Sequence, residues 1–251
     1  MAIIGDRLAG LILSRYEWND LGPPPGYEGI GKLEVLFGSS LLDRIRNKTV
    51  LDFGCGQGRE AIEMAHYGAA EVIGVDIRDE LLAAARVNQK ASLVQNCTFS
   101  RRYETQVDVI VSIDSFEHFD RPDVVLEEMS RLLKPDGFVL FSFGWPWYHP
   151  RGGHFPLFPW AHILLTEKSL MKWRSQYKTD GAKRFGEVAG GLNQMSLRKF
   201  ERLVANSPFK FETFEQVPIR VVRPLHCRLT REFFTAVVRG TLVHRSQERT
   251  S

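Results

Sequence analysis

The stretch VLDFGCGQGRE, residues 50–60, sets Gly54, Gly56 and Gly58 on alternate positions directly after an apolar run. Glycine lets a backbone turn through positive φ and lets it approach a neighbour closely. A strand that ends in such a turn and opens onto a helix leaves amide groups facing a space where a polar ligand can lie. Only a few folds contain that arrangement, and the residues that follow narrow them further. Short apolar runs alternate with amphipathic stretches from Thr49 onward. The strands predicted are TVLDF, EVIGVD, LVQNCTF, VDVIVSI and GFVLFSF, with helices over REAIEMAHYG, RDELLAAARVNQ and PDVVLEEMSRLLK. KPDG is read as the turn that ends the last of these helices and launches the fifth strand. This alternation is the pattern of βαβ units in an α/β fold with a mostly parallel sheet.

Flanking segments have a different texture. Residues 1–47 read as an N-terminal helical cap, with a helix over Leu8–Trp18, a break at LGPPPGYEG, and a second helix over Leu33–Ile45. After Phe143 the composition turns to GWPWYHPRGGHFPLFPWAH, rich in Pro, Gly, His and aromatics, and residues 144–195 read as a substrate-loop and helical insertion within a domain of residues 48–251. Thr166 and Ser196 are in position to cap the helices EKSLMKWRSQY and LRKFERLVANS, and FKFETFEQV and REFFTAVVRGTLVH supply two closing strands.

Charge and cysteine usage exclude some classes. Cys55, Cys97 and Cys227 form no CxxC pair, so neither a disulfide framework nor a zinc site is indicated, no cluster demands a metal, and a reducing cytoplasm is expected. No apolar run is long enough to span a bilayer. The net charge of +3 is small but uneven: after Val217 come Arg220, Arg223, Arg228, Arg231, Arg239, Arg245 and Arg249 against Glu232 and Glu248. That end reads as a solvated face or as a contact for an anionic partner, so peripheral membrane contact stays open, as does the oligomeric state.

The ligand follows from two acids. Asp76 ends the second strand eighteen positions after Gly58, about the separation that brings a carboxylate to a ribose. Adjacent parallel strands bring Asp76 and the glycine turn together at the carboxyl edge of the sheet, where ligands of such sheets bind. The spacing is G-x-G-x-G, whereas the dinucleotide fingerprint is G-x-G-x-x-G. Asp52, just before the turn, would repel a phosphate and accept hydrogen bonds from an ammonium group. An adenosine cofactor with an amino-acid end fits better than a dinucleotide.

These residues resemble the class I S-adenosylmethionine-dependent methyltransferases. VLDFGCGQG is similar to their first motif, VIGVD to the second, VDVIVSIDSFEHF to the fourth, and EEMSRLLKPDGFVLFSF to the helix and strand that follow. The resemblance is close over residues 48–143. It implies a three-layer αβα sandwich with a seven-stranded sheet in the order 3-2-1-4-5-7-6, the last strand antiparallel. It implies S-adenosylmethionine as cofactor and S-adenosylhomocysteine as product. The cofactor-binding set it implies is Asp52, Phe53, Gly54, Cys55, Gly56, Gly58, Asp76, Ile77, Asp114 and Ser115. Where many members carry an acid after the third strand, this chain has SRRYE, and Arg102, Tyr103 or Glu104 takes that place.

Methyl transfer to a hydroxyl requires alignment and removal of a proton, a task that suits histidine near neutral pH. His118, His149 and His154 are the catalytic candidates, and Glu117 is a rival base that also serves as a substrate-binding candidate. A similar FEHF stretch in cyclopropane-forming lipid methyltransferases puts carbon methylation beside oxygen methylation. Trp147, Tyr148 and Arg151 are candidates for holding the acceptor, through aromatic faces and a guanidinium. The reading is a small-molecule methyltransferase, with a hydroxyl of a saccharide or secondary metabolite as acceptor. An RNA methyltransferase is disfavoured by the low net charge and the lack of an RNA-binding module. A non-catalytic cofactor-binding scaffold, and a nicotinamide oxidoreductase, are the remaining alternatives.

Overall fold

The computed structural model describes residues 3–18, 31–188 and 191–245. Its strands are β1 (Thr49–Phe53), β2 (Glu71–Val75), β3 (Cys97–Ser100), β4 (Val107–Ile113), β5 (Leu133–Gly144), β6 (Phe209–Pro218) and β7 (Thr235–His244), joined in one sheet of order β3-β2-β1-β4-β5-β7-β6. β1 to β5 run parallel, and β7 pairs antiparallel with both β5 and β6. The fold class, the strand order and the reversed last strand are as the sequence indicates.

Side chains alternate between the two faces of the sheet, and both faces are buried, as a parallel sheet requires. Val50, Val109 and Val111 point into one apolar cluster, which is closed by α2 (Lys32–Phe37), α3 (Ser39–Asp43), α4 (Arg59–His66) and α5 (Asp79–Ser92) through residues such as Leu33, Met64 and Leu82. Leu51 and Ile110 point the other way, onto α6 (Pro122–Leu132) and α9 (Leu197–Ala205). Phe200 is the hub there, with ring centroids 5.1 Å from Phe116, 4.9 Å from Phe141 and 5.0 Å from Phe143.

A third cluster lies off the sheet. α1 (Asp6–Leu13) packs Ala9 and Leu13 against Phe155, Leu170 and Trp173 of the insertion, which carries α7 (Ala161–Leu164) and α8 (Glu167–Arg174). Thr166 and Ser196 cap their helices as expected, accepting from the Ser169 and Lys199 amides.

Differences from the sequence reading have local causes. The helix expected over Leu33–Ile45 breaks at Gly38, where φ is +74°, and becomes α2 and α3. The helix expected over Leu8–Trp18 is Asp6–Leu13, and the third strand begins only at Cys97 because Leu93 closes α5 in the left-handed conformation. KPDG is not a free turn: β5 already pairs at Leu133, and the ladder shifts register opposite Val107 and Val109. The LGPPPGYEG break lies outside the described residues.

The run REFFTAVVRGTLVH is not all strand. Arg231–Phe234 forms a helical turn, α10, because Glu232 is drawn inward to serve α9. Its buried carboxylate accepts from the amides of Leu197 (3.1 Å) and Arg198 (2.9 Å), two donors that a helix start leaves without intrahelical partners. Replacing Glu232→Ala strands both, with an expected loss of about 1–3 kcal/mol of stability. Urea unfolding should show this, with Glu232→Gln intermediate; an unchanged midpoint for the alanine variant would contradict the assignment.

Candidate functional site

The parallel register β1–β2 sets Phe53 opposite Val75 and so brings the glycine turn against the end of β2. The amides of Gly54 and Cys55 both donate to the Val75 carbonyl at 2.9 Å. A Cβ on Gly54 would fall 2.5 Å from Ser115 Oγ, so that position needs glycine for close approach. Gly56 (φ +51°) differs, since a Cβ there would meet nothing within 4 Å. Its amide donates to Asp76 Oδ2 at 3.0 Å. The open space at Gly56 and the buried Asp76 therefore lie together at the carboxyl edge.

Asp76 accepts three further bonds, all from Arg78: the amide to Oδ1 (3.0 Å), Nε to Oδ1 (3.1 Å) and Nη2 to Oδ2 (3.2 Å). Burial pushes its pKa up, but these donors outweigh burial and hold the carboxyl below its ordinary value. Asp52 is the opposite case. It is buried, its Oδ2 has no hydrogen-bond partner, and burial followed by the charge of Glu60 pushes its pKa well up. Above the two acids, Lys32 of α2 bridges Glu60 (3.0 Å) and Asp114 (2.8 Å), and its pKa is raised by both carboxylates against the effect of burial.

Other predicted cofactor residues divide by exposure. Asp114 sits at φ +48° with its amide on the Ser142 carbonyl (2.8 Å). Ser115 Oγ is 3.0 Å from the Ile113 carbonyl and 3.4 Å from that of Gly54. Phe53 packs edge-on to Phe119, and Ile77 projects into solvent. Cys55 is buried and burial pushes its thiol pKa up, so it stays a thiol rather than a nucleophile.

The histidines form a chain of rings past β4 and β5. His118 Nδ1 is 2.6 Å from the Gly191 carbonyl. A carbonyl only accepts, so Nδ1 carries a proton, and in the neutral ring Nε2 is the acceptor nitrogen. His118 meets His154 edge-on at 5.7 Å, His154 meets Trp145 at 5.6 Å, and Trp145 stacks on His149 at 5.9 Å. His154 Nε2 is buried without a partner, whereas His149 Nδ1 accepts from the Arg151 amide at 3.0 Å. Burial brings both pKa values down to about 4, helped at His149 by Arg151 and at His154 by His118. Glu117 is buried beside them with Oε2 unpartnered, and burial, then the Asp114 charge, pushes its pKa well up.

A cavity of about 430 Å³ opens on this chain of rings, its wall including Trp18, His118, His154, Arg174, Lys178 and Asp180. Of the predicted catalytic histidines, His118 and His154 line it; His149 packs under Trp145. The predicted acceptor residues scatter. Trp147 packs into the small third core against His162 (4.8 Å) and Phe185 (5.1 Å), Tyr148 lies at the surface against Phe233, and Arg151 is exposed.

Residues 51–141 match the family model of the methyltransferase domain. Over those residues the chain carries a methyltransferase domain, and its sheet has the strand order expected of the class I fold. Among curated relatives, the chain is 35% identical over 106 residues to the ubiquinone biosynthesis O-methyltransferase of Neisseria meningitidis serogroup C, covering 39% of this chain and 44% of that one. It is 32% identical over 132 residues to the enzyme of the same name from Shewanella halifaxensis, covering 50% of this chain and 56% of that one. The chain thus spans about half the length of the curated relatives it matches. A S-adenosylmethionine-dependent methyltransferase from Mesorhizobium loti superposes with a TM-score of 0.55 at 18% identity, over 82% of this chain and 96% of the other. The magnesium protoporphyrin IX methyltransferase of Synechocystis PCC 6803, solved with S-adenosylhomocysteine, gives 0.51 at 14% identity over 82% and 80%. At that identity both show the shared fold.

The residues at the edge fit S-adenosylmethionine, the cofactor that the resemblance implies. Gly56 faces open space, the buried Asp52 oxygen lacks a donor, and Asp76 offers a carboxylate kept ionised. Several residues of the site were not found from sequence. Lys32, Asn193 and the Arg174–Asp180 pair come from segments remote from the motifs; Asn193 donates to the carbonyls of Phe116 (2.6 Å) and Phe119 (2.7 Å) and so clamps the turn that carries Glu117 and His118. Arg174 meets Asp180 in a two-pronged pair, 2.6 Å at each prong. Nothing local marks these residues.

The raised Asp52 pKa has a consequence for stability. A carboxyl whose native pKa lies above its unfolded value, about 4, stabilises the fold at low pH, and that contribution is lost as pH rises through the native value. Asp52→Asn removes the cost of a buried charge, so the ligand-free variant should melt higher than the parent at pH 8, with the gap closing toward pH 4. Thermal melts across that range measure it; a variant less stable at every pH would contradict the assignment.

Proposed function

We propose that the protein transfers the methyl group of S-adenosylmethionine to a hydroxyl of a small-molecule acceptor, of the saccharide or secondary-metabolite class. The observation that carries this reading is the placement of His118: its Nδ1 lies 2.6 Å from the Gly191 carbonyl, so that Nε2 is the acceptor nitrogen of the neutral ring, and the ring lines the cavity. The names of the curated relatives support oxygen as the acceptor atom and a small molecule as the acceptor.

The cofactor supplies an activated methyl group on a sulfonium, so the chain's own task is alignment and proton removal. Asp76 would bind the ribose hydroxyls, exchanging the Arg78 guanidinium for them, and Asp52 would accept from the ammonium group. Asp114 and Ser115 would line the methionine side, and Lys32, arriving from the 1–47 segment, would close over it as part of a cap. His118 Nε2 takes the hydroxyl proton as the new bond to oxygen forms, and His154, neutral because burial keeps its pKa near 4, adds no competing charge beside it. Trp18, with the Lys178 ammonium 5.0 Å over its ring, would form part of the acceptor's wall across the same cavity.

Radiolabelled methyl donor with a panel of phenolic, sugar and aliphatic alcohols identifies the acceptor. With it, His118→Ala should lower turnover by about 10²–10⁴-fold and leave S-adenosylhomocysteine affinity within about twofold. Parallel loss of both would make His118 structural, and unchanged turnover would give the proton to another group.

A further inference from the structure

The C-terminal part of the chain holds seven arginines from Arg220 onward, and the fold sorts them. Arg231 pairs with Glu201 at 2.6 Å, Arg239 pairs with Glu215 at 2.8 Å and reaches the α2 carbonyls, and Arg245 donates to the carbonyls of Val204, Ala205 and Ser207 at the end of α9. These three hold the structure together. Arg249 lies outside the described residues. Arg220, Arg223 and Arg228 remain, all exposed, with no ion pair or hydrogen bond to their side chains among the described residues.

Those three lie in the connection between β6 and β7, and the apolar residues between them are exposed as well. Val221 and Leu229 are each 86% exposed, Leu225 58% and Phe233 41%. The segment is not loose chain. The Ile219 amide donates to the Phe234 carbonyl at 2.8 Å, Thr230 Oγ1 donates to the Leu225 carbonyl, and His226 Nε2 lies 3.0 Å from Thr235 Oγ1. Residues 220–225 form a 3₁₀ stretch whose N–H groups are tied at its ends. From 219 to 233 the single acid is Glu232, which is buried under α9. The result is an ordered segment that presents exposed apolar side chains interleaved with guanidiniums and carries no exposed carboxylate of its own. It continues through the contact of Phe233 with Tyr148, 5.6 Å between rings, into the loop that carries His149 and His154.

We propose that this surface docks the protein on an anionic lipid bilayer, with Val221, Leu225 and Leu229 in the interfacial layer and Arg220, Arg223 and Arg228 against the headgroups. Exposed aliphatic groups that a water-soluble surface leaves unexplained have an apolar phase to enter there, and each arginine meets a negative surface potential. A nucleic acid would satisfy the arginines but gives valine and leucine nothing to bury against, since it offers phosphates outside and stacked bases that favour aromatic partners. A second copy of this chain would bring arginine against arginine at any two-fold contact of the patch with itself.

The test is cosedimentation of the full chain with vesicles of phosphatidylcholine alone or with one third phosphatidylglycerol. The parent should partition onto the anionic vesicles and be released by 1 M salt. Replacing R220Q, R223Q and R228Q together should lower partitioning by roughly 100-fold, at about fivefold per arginine, and L225S with L229S by about tenfold or more. Both variants should keep the parent's melting temperature and S-adenosylhomocysteine affinity, which separates loss of docking from loss of fold. The proposal is overturned by absence of vesicle binding, or by binding that neither set of substitutions weakens. It is equally overturned if the parent binds poly(U) but not vesicles, or if it binds no vesicles and forms a dimer that L225S with L229S dissociates.

Discussion

Everything at the functional edge hangs on one hydrogen-bonded closure: the amides of Gly54 and Cys55 meeting the Val75 carbonyl, with the Gly56 amide on Asp76. Parallel pairing of β1 and β2 alone would leave the two strand ends side by side without fixing what lies between them. The closure turns the chain back sharply enough for Gly56 to face open space, and it aims a backbone donor at the carboxylate that ends β2. Ser115, one strand further along, closes the other side by approaching Gly54 so nearly that a methyl group would not fit. The ends of β1 and β2 are thereby locked through backbone, and the end of β4 is held against them by the Ser115 side chain.

Around that closure the electrostatics are uneven. Four acids, Asp52, Glu60, Asp76 and Asp114, crowd the edge, and Lys32 and Arg78 are the cations that answer them. Asp76 has enough donors to stay ionised, while Asp52 and Glu117, buried and each with an orphaned oxygen, are pushed toward the neutral acid. Unpaired buried carboxylates are costly in an apolar interior, and a site that keeps them is arranged for an incoming positive group. A cofactor carrying an ammonium and a sulfonium is such a group. The same uneven pattern recurs past β4 and β5, where burial keeps His149 and His154 neutral in the chain of rings that includes His118.

The parts of this arrangement that were legible in the sequence are those written in a few consecutive residues. The glycine run, Asp76 at the end of its strand and the helix caps Thr166 and Ser196 each combine a residue type with a fixed offset, so local chemistry identifies them. Lys32 and Arg174 were not legible, because each reaches the site from a helix whose own pattern concerns packing, and Asp180 and Asn193 were not because they stand in irregular segments without a motif. Periodicity also cannot see a single residue that takes the left-handed conformation, which is why Gly38 split one expected helix and Leu93 delayed a strand. Trp147 illustrates a further limit. In an aromatic-rich loop, composition does not distinguish a ring that meets a ligand from one that fills a small core.

The central claim is that the glycine turn and Asp76 hold S-adenosylmethionine. Calorimetric titration with S-adenosylmethionine, S-adenosylhomocysteine and NAD, on the parent and on Asp76→Ala, tests it most directly. The account predicts that the two adenosylated amino acids bind the parent, that NAD does not, and that Asp76→Ala loses the binding while still melting cooperatively. Binding of NAD alone, or equal affinity in a folded Asp76→Ala, would contradict it.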